Sequence, residues 1–141
     1  MSIPILMVEY VIDAMCRRVE FIDSNASVLE AIEKVVLKQI GALVVIEDGK
    51  PSGVVTLRDI VLRCLAKGLD PRDVKVSEIA SKPLITVKEH TPIDEVPRLL
   101  EKHKITRVFV EENGNIIGYV SLLELLPVYL KDLIGIRRSI P

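Results

Sequence analysis

Two short stretches carry the residues best suited to hold a ligand: Thr56-Leu57-Arg58-Asp59 and Ser121-Leu122-Leu123-Glu124. Each follows an apolar run that begins with a glycine, Gly53 or Gly118. The pattern reads as a buried strand ending at a hydroxyl residue that opens a helix, with a carboxylate one turn in. A strand feeding a helix N-terminus in this way presents free backbone N–H groups and a positive dipole end, which suits a phosphate. A carboxylate on that first turn can accept two hydrogen bonds from a ribose diol. The same residues also satisfy the rule for an N-terminal capping box. Ser27 with Glu30 and Thr91 with Asp94 satisfy that rule too, where no ligand need be invoked. On local chemistry both readings stand, a cap alone and a cap that also meets a ligand.

Little else in the chain suggests catalysis. His90 and His103 have no acidic or cysteine partner at metal or triad spacing. No GxSxG, P-loop or GxGxxG pattern occurs. Cys16 and Cys64 lie far apart and read as small core residues, so no metal site and no required cofactor is expected. The sequence argues against an enzyme. Lys and Arg number 19 against 20 Asp and Glu, a net charge of -1, and aromatics are 4% with no Trp. Neither a basic surplus nor a set of stacking rings is available, which argues against nucleic acid. No apolar run approaches the ~20 residues of a membrane span, and no secretory leader is visible. The expectation is a cytoplasmic protein with no membrane partner.

The elements that must position the two motifs occur twice. Sliding the sequence by 65 residues lays Val11–Val61 on Val76–Leu126 without a gap. Ile40 then falls on Ile105, Val45 on Val110, Gly49 on Gly114, Gly53 on Gly118 and Val55 on Val120. A 141-residue chain with 49% hydrophobic residues is therefore one supersecondary unit used twice, each copy leaving an apolar face to cover. In the first copy, Val28, Ile32, Val35 and Val36 predict a helix from Ser27 to Lys38. Ala42–Glu47 is an apolar, β-branched run too short for a helix and predicts a strand. Asp48-Gly49-Lys50 predicts a hairpin turn into a strand around Gly53–Val55, and a helix follows from Leu57 to about Lys67, stopped by Gly68. The second copy predicts a helix opening at Thr91 with Pro92 at its first position. After it come strands Arg107–Glu111 and Ile116–Val120 around Asn113-Gly114-Asn115, then a helix from Leu122. Short extended pieces, Val19–Ile22 and Leu84–Val87, precede the two copies. The implied divisions are an arm at 1–10, repeats at 11–67 and 76–126, a linker at 68–75 and a tail at 127–141.

This tandem, with its hydrophobic-Gly-x-x-Thr/Ser-x-x-Asp ending, resembles a pair of CBS domains, often called a Bateman module, over about Val11 to Leu126. The resemblance implies an α+β fold of two β-α-β-β-α repeats with pseudo-two-fold symmetry and sheets packed face to face. It further implies a cleft for an adenosine-containing small molecule, such as AMP, ADP, ATP or S-adenosylmethionine. In the first site Asp59 would hold the ribose and Thr56 the phosphate, with Arg58 adding charge. Ser81, Lys82, Pro83 and Ile85, together with Ile105 and Thr106, would face the adenine. A second, weaker site would draw on Ser121, Glu124 and Arg107, with Cys16, Arg17, Arg18, Ile40 and Gly41 beside them. Glu124 departs from the usual Asp, and its extra methylene displaces the carboxylate, which puts ribose binding there in doubt.

Leu122, Leu123, Leu125, Leu126, Val128, Leu130, Leu133 and Ile134 give the tail more apolar surface than one face of a helix in a small monomer should show. A homodimer contact explains it, with Pro127 a kink or a break and the apolar opening Ile3–Val8 a further contributor. Because the repeats use up the chain, its output is expected to go to a separate effector protein. The alternative is a structural, dimerising CBS pair with no small ligand.

Overall fold

The computed structural model describes the backbone of residues 8–139 and the side chains of residues 8–130; the proposed role of Ile3–Met7, and of the Leu133 and Ile134 side chains, lies outside the described residues. The elements run α1 (Val11–Ala14), β1 (Phe21–Asp23), α2 (Val28–Lys38), β2 (Ala42–Glu47), β3 (Lys50–Thr56), α3 (Leu57–Arg63), α4 (Val76–Ile79), β4 (Thr86–Lys88), α5 (Val96–His103), β5 (Arg107–Glu112), β6 (Asn115–Ser121) and α6 (Leu122–Ser139). They form two three-stranded sheets, β1-β2-β3 and β4-β5-β6. In each, the first pair is parallel and the second antiparallel. The register irregularity recurs at Val45/Ile46 and at Val110/Glu111, the same place in both copies. The chain is thus an α+β protein built from a repeated unit.

The hairpin turns follow from their residues. Asp48 and Gly49 take φ of 52° and 78°, and Asn113 and Gly114 take 51° and 82°. Two successive positive φ values match the twist of the flanking strands, and Asp-Gly and Asn-Gly reach them at least cost. β2 is buried on both faces over Ala42–Val45, which is why its sequence shows a continuous apolar run rather than alternation.

Two compact units result, and they are offset from the sequence repeats. One is Val19–Ile85; the other joins the residues before it to those after it. In the first, Ile22, Val28, Val35, Leu43, Val45, Val55 and Ile60 pack with Val76 and Ile79 of α4. Val76 N–H donates to the Ala26 carbonyl at 2.8 Å, and Val28 N–H to that of Val74 at 2.8 Å, tying α4 to the start of α2. In the second unit, α1 takes the equivalent place: Val11 N–H donates to Thr91 O and Ile12 N–H to Glu89 O, both at 2.9 Å. Val11, Val96, Val108, Val110 and Val120 are fully buried there.

Several helix starts differ from expectation. Ser27 Oγ accepts the Glu30 N–H at 3.1 Å, one half of a capping box. Thr91 caps no helix, because Pro92 is extended (φ -56°, ψ 135°) and a 3-10 turn, Ile93–Glu95, intervenes before α5. The helix from Leu57 is α-helical only to Arg63 and closes with a 3-10 turn, Leu65–Lys67, before Gly68 at φ 73°. Pro127 lies inside α6, which runs on to Ser139. α6 exposes Leu122, Leu123, Leu126, Tyr129 and Leu130, and α3 exposes Leu57, Val61 and Leu62.

Candidate functional site

Within the Val19–Ile85 unit, the Thr56 motif closes a complete capping box. Thr56 Oγ1 accepts the Asp59 N–H at 3.2 Å, and Asp59 Oδ2 accepts the Thr56 N–H at 3.0 Å and its hydroxyl at 3.1 Å. The other carboxylate oxygen, Oδ1, accepts the Ser81 hydroxyl at 3.0 Å and lies 3.6 Å from Arg63 Nε. Asp59 is 5% exposed, so these donors take the place of water around a buried charge. Capping and burial are therefore both present, on the residue that also suits a sugar.

Ser81 reaches Asp59 because its backbone lies against β3. Val54 N–H donates to Ser81 O at 3.0 Å, and Ser81 N–H returns a bond to Val54 O at 2.8 Å. Gly53 permits the approach: a Cβ there would stand 2.5 Å from the Ser81 carbonyl oxygen. Ser81, Lys82, Pro83 and Ile85 thus belong to the same unit as Asp59. Arg58, Lys82 and Pro83 are exposed, and Lys82 pairs with Glu47 at 3.0 Å. Ile40 is 8% exposed within the apolar core, and Gly41 accepts the Leu57 N–H at 3.1 Å. Ile105 and Thr106 lie in the other unit, where Thr106 O accepts the Leu122 N–H.

That other unit brings Cys16, Arg107, Ser121 and Glu124 into one unit. Cys16 pairs with Tyr119 through two backbone bonds of 2.9 Å, as Ser81 does with Val54. Glu124 Oε1 accepts the Ser121 N–H at 2.7 Å and its hydroxyl. Arg107 stands 5.2 Å over the Tyr119 ring, and its Nε is buried without a hydrogen-bond partner. Arg17 and Arg18 are exposed. Glu124 also lines an open cavity of about 290 Å³ with Val8, Asp13, Ala14, Leu123, Pro127 and Val128. Asp13 there accepts the Glu9 and Tyr10 N–H groups at 3.1 and 3.0 Å. Tyr119, Asp13 and Arg63 escape sequence reasoning, although Tyr119 stands one residue beyond the paired glycine, where Val54 stands in the first copy.

Burial first, then the hydrogen bond and charge of Cys16 and the charge of Glu124, push the Tyr119 phenol up to about 12; Arg107 opposes them. The fold thus favours the protonated phenol. Its contribution to stability is complete below the ordinary value of 10.0 and is lost as pH rises towards 12. A near-ultraviolet absorbance titration is expected to show a late ionisation that Tyr119→Phe removes. Cys64, the other thiol, is a core residue whose pKa burial raises, with Asp70 adding to the shift.

Among the described residues no group of three or more His, Cys, Asp or Glu side chains is placed to hold a metal ion. Among them, too, no helix is long and apolar enough to cross a membrane.

Comparison with known proteins accords with this architecture. The CBS domain profile matches residues 11–65 and 76–131. An uncharacterized protein of Methanopyrus kandleri, MK0525, is 35% identical over 91 residues, 63% of this chain and 46% of that protein. The chain therefore spans about half the length of that relative. The CBS domain-containing protein YhcV of Bacillus subtilis is 31% identical over 113 residues, 80% of each chain. Among solved structures, the CBS domain pair of protein MJ0100, in complex with 5'-methylthioadenosine and S-adenosyl-L-methionine, superposes with a TM-score of 0.76 at 25% identity. That match covers 87% of this chain and 97% of the other. With two profile matches on the two copies of the strand-glycine-hydroxyl-carboxylate unit, the chain belongs to the CBS domain family.

Proposed function

We propose that the chain is a regulatory CBS pair that binds an adenosine-containing ligand, AMP, ADP, ATP or S-adenosylmethionine, and passes the signal to a separate effector protein. The observation that carries this reading is Asp59: a buried carboxylate fixed one turn into α3, beside the Thr56 hydroxyl and the Ser81 hydroxyl. A fixed acceptor of this kind suits a ribose diol; the Thr56 N–H and hydroxyl are spent on Asp59, so exposed Arg58 is the group left to supply positive charge for a phosphate. The adenosine compounds bound by the MJ0100 pair support the ligand class. Ser121, Glu124 and Arg107 form the weaker counterpart, with the longer Glu124 side chain folded onto Ser121. Signalling requires that the ligand bind two conformations of the protein unequally. The exposed leucines of α6 suit a second copy of the chain.

Calorimetric titration with AMP, ATP and S-adenosylmethionine, paired with native mass spectrometry, tests this reading. The expected result is saturable binding of at least one compound, with a dimeric mass. Absence of heat and of bound mass with all three overturns the ligand assignment. A dimer without any nucleotide response is the outcome for a purely structural CBS pair, which the exposed α6 leucines suit equally.

A further inference from the structure

We infer that the Ser81 hydroxyl is a latch on Asp59, which a sugar hydroxyl must displace before it can bind there. This rests on reading Asp59 as the ligand's acceptor. The two carboxylate oxygens are divided between two tasks. Oδ2 is committed to the helix cap through the Thr56 N–H and hydroxyl, at 3.0 and 3.1 Å. Oδ1 is held by Ser81 Oγ at 3.0 Å, with Arg63 Nε at 3.6 Å. Oδ1 could accept a second donor as Oδ2 does. The Asp59 side chain is only 7% exposed, however, so a diol reaches it by opening a covering contact. The Ser81 hydroxyl is the one seated on Oδ1 outside the cap.

The backbone of Ser81 is not free to withdraw. Its N–H and C=O both bond Val54, at 2.8 and 3.0 Å, and the missing side chain of Gly53 lets it sit close against β3. Rotation about the Ser81 Cα–Cβ bond is enough to release Oδ1. That motion is quick and leaves the cap and the strand pairing intact. The exchange replaces the Ser81 donor with one hydroxyl of the diol, so the net gain at Asp59 is the bond from the diol's second hydroxyl, and Ser81 takes back the first.

Among the described residues of the second unit, no hydroxyl donates to the other oxygen of the motif carboxylate as Ser81 does to Asp59. The place of Ser81 is taken there by Cys16, a weak donor, whose backbone pairs with that of Tyr119. Glu124 Oε1 takes both Ser121 groups, the counterpart of the cap at Thr56. The two copies thus differ in how freely the motif carboxylate can accept a ligand, as well as in Asp against Glu.

The test measures affinity for AMP, ATP and S-adenosylmethionine in wild type, Ser81→Ala and Ser81→Cys, with thermal denaturation run alongside. Ser81→Ala is expected to bind roughly three- to tenfold more tightly, the equivalent of one ordinary hydrogen bond. Ser81→Cys, which copies the other unit, is expected to shift affinity in the same direction and carries the test where the alanine variant does not fold. Unchanged affinity overturns the latch and leaves the ligand assignment in place. Weaker binding also overturns it, and assigns the Ser81 hydroxyl to the ligand instead. Binding by the variants but not by wild type supports both latch and ligand site. Binding by none of the three overturns both.

Discussion

Asp59→Ala is expected to weaken binding of an adenosine ligand by roughly ten- to hundredfold. Hydrogen bonds to a charged group contribute about 1.5–3 kcal/mol, and each 1.4 kcal/mol is about tenfold in affinity. The same substitution leaves Thr56 Oγ1 capping the residue-59 N–H but removes the acceptor of the Thr56 N–H and hydroxyl and of the Ser81 hydroxyl, a loss of about 1–3 kcal/mol. Both a lower melting temperature and a weaker affinity should therefore appear. Glu124→Ala separates the two motifs: it is expected to leave the principal binding constant in place while removing the analogous acceptor of the Ser121 N–H and hydroxyl. Calorimetry that returns equal affinity for wild type and Asp59→Ala overturns the assignment of the sugar to Asp59.

Gly53→Ala is expected to be the most damaging single-methyl change in the Val19–Ile85 unit. The added Cβ would lie 2.5 Å from the Ser81 carbonyl oxygen and 3.0 Å from Lys82 Cγ. The lysine carbon can swing aside, but the carbonyl is backbone and moves only if the bonds between Val54 and Ser81 open. Overpacking of this kind costs about 1–3 kcal/mol, and each of those two bonds contributes about 1 kcal/mol. A fall in Tm on the order of 10 °C follows. Gly118→Ala meets the Cys16 carbonyl and the Met15 sulfur, both at 2.8 Å, and the flexible sulfur can yield, so the expected loss is smaller. Gly49→Ala meets nothing within 4 Å and costs only the strain of φ 78°, about 1 kcal/mol. Circular dichroism melts of the three variants should rank in that order. A Gly53→Ala melt equal to that of Gly49→Ala would contradict the close approach.

The parts of this fold legible in the sequence are those whose physics is local. Ala42–Glu47 is a strand over the whole predicted span because an apolar β-branched run between turn residues has no other comfortable state. The Asp48-Gly49 and Asn113-Gly114 turns are written in residues that tolerate positive φ. Helix starts are less legible. Thr91-Pro92 carries the composition of a cap, yet Pro92 stays extended and the helix waits until Val96, with Pro97 in its first turn. α1 and α4, four residues each, are too short to show a period.

At the site, Thr56 with Asp59 and Ser121 with Glu124 are legible as capping pairs because each spans three residues. The bond from Ser81 to Asp59 spans 22 residues and leaves no local pattern. One indirect sign of it does exist. Gly53 and Gly118 each interrupt a strand that would pack better with a side chain, and such a glycine marks a close backbone approach. The approaching residues, Ser81 and Cys16, are themselves 65 apart, so the repeat offset carries the pairing once one half of it is known.

The offset between the repeats and the compact units bears on how the chain is made. Val19–Ile85 is one unbroken stretch, and every strand and helix of that unit is available once Ile85 has been synthesised. The other unit needs α1 from near the beginning and α6 from near the end. Its contacts join segments separated in sequence by the whole Val19–Ile85 stretch, and long loop closure slows folding. The order of synthesis therefore favours a molecule in which the Asp59 half is finished first, while α1 and its exposed apolar side chains wait for a partner that is still to be translated.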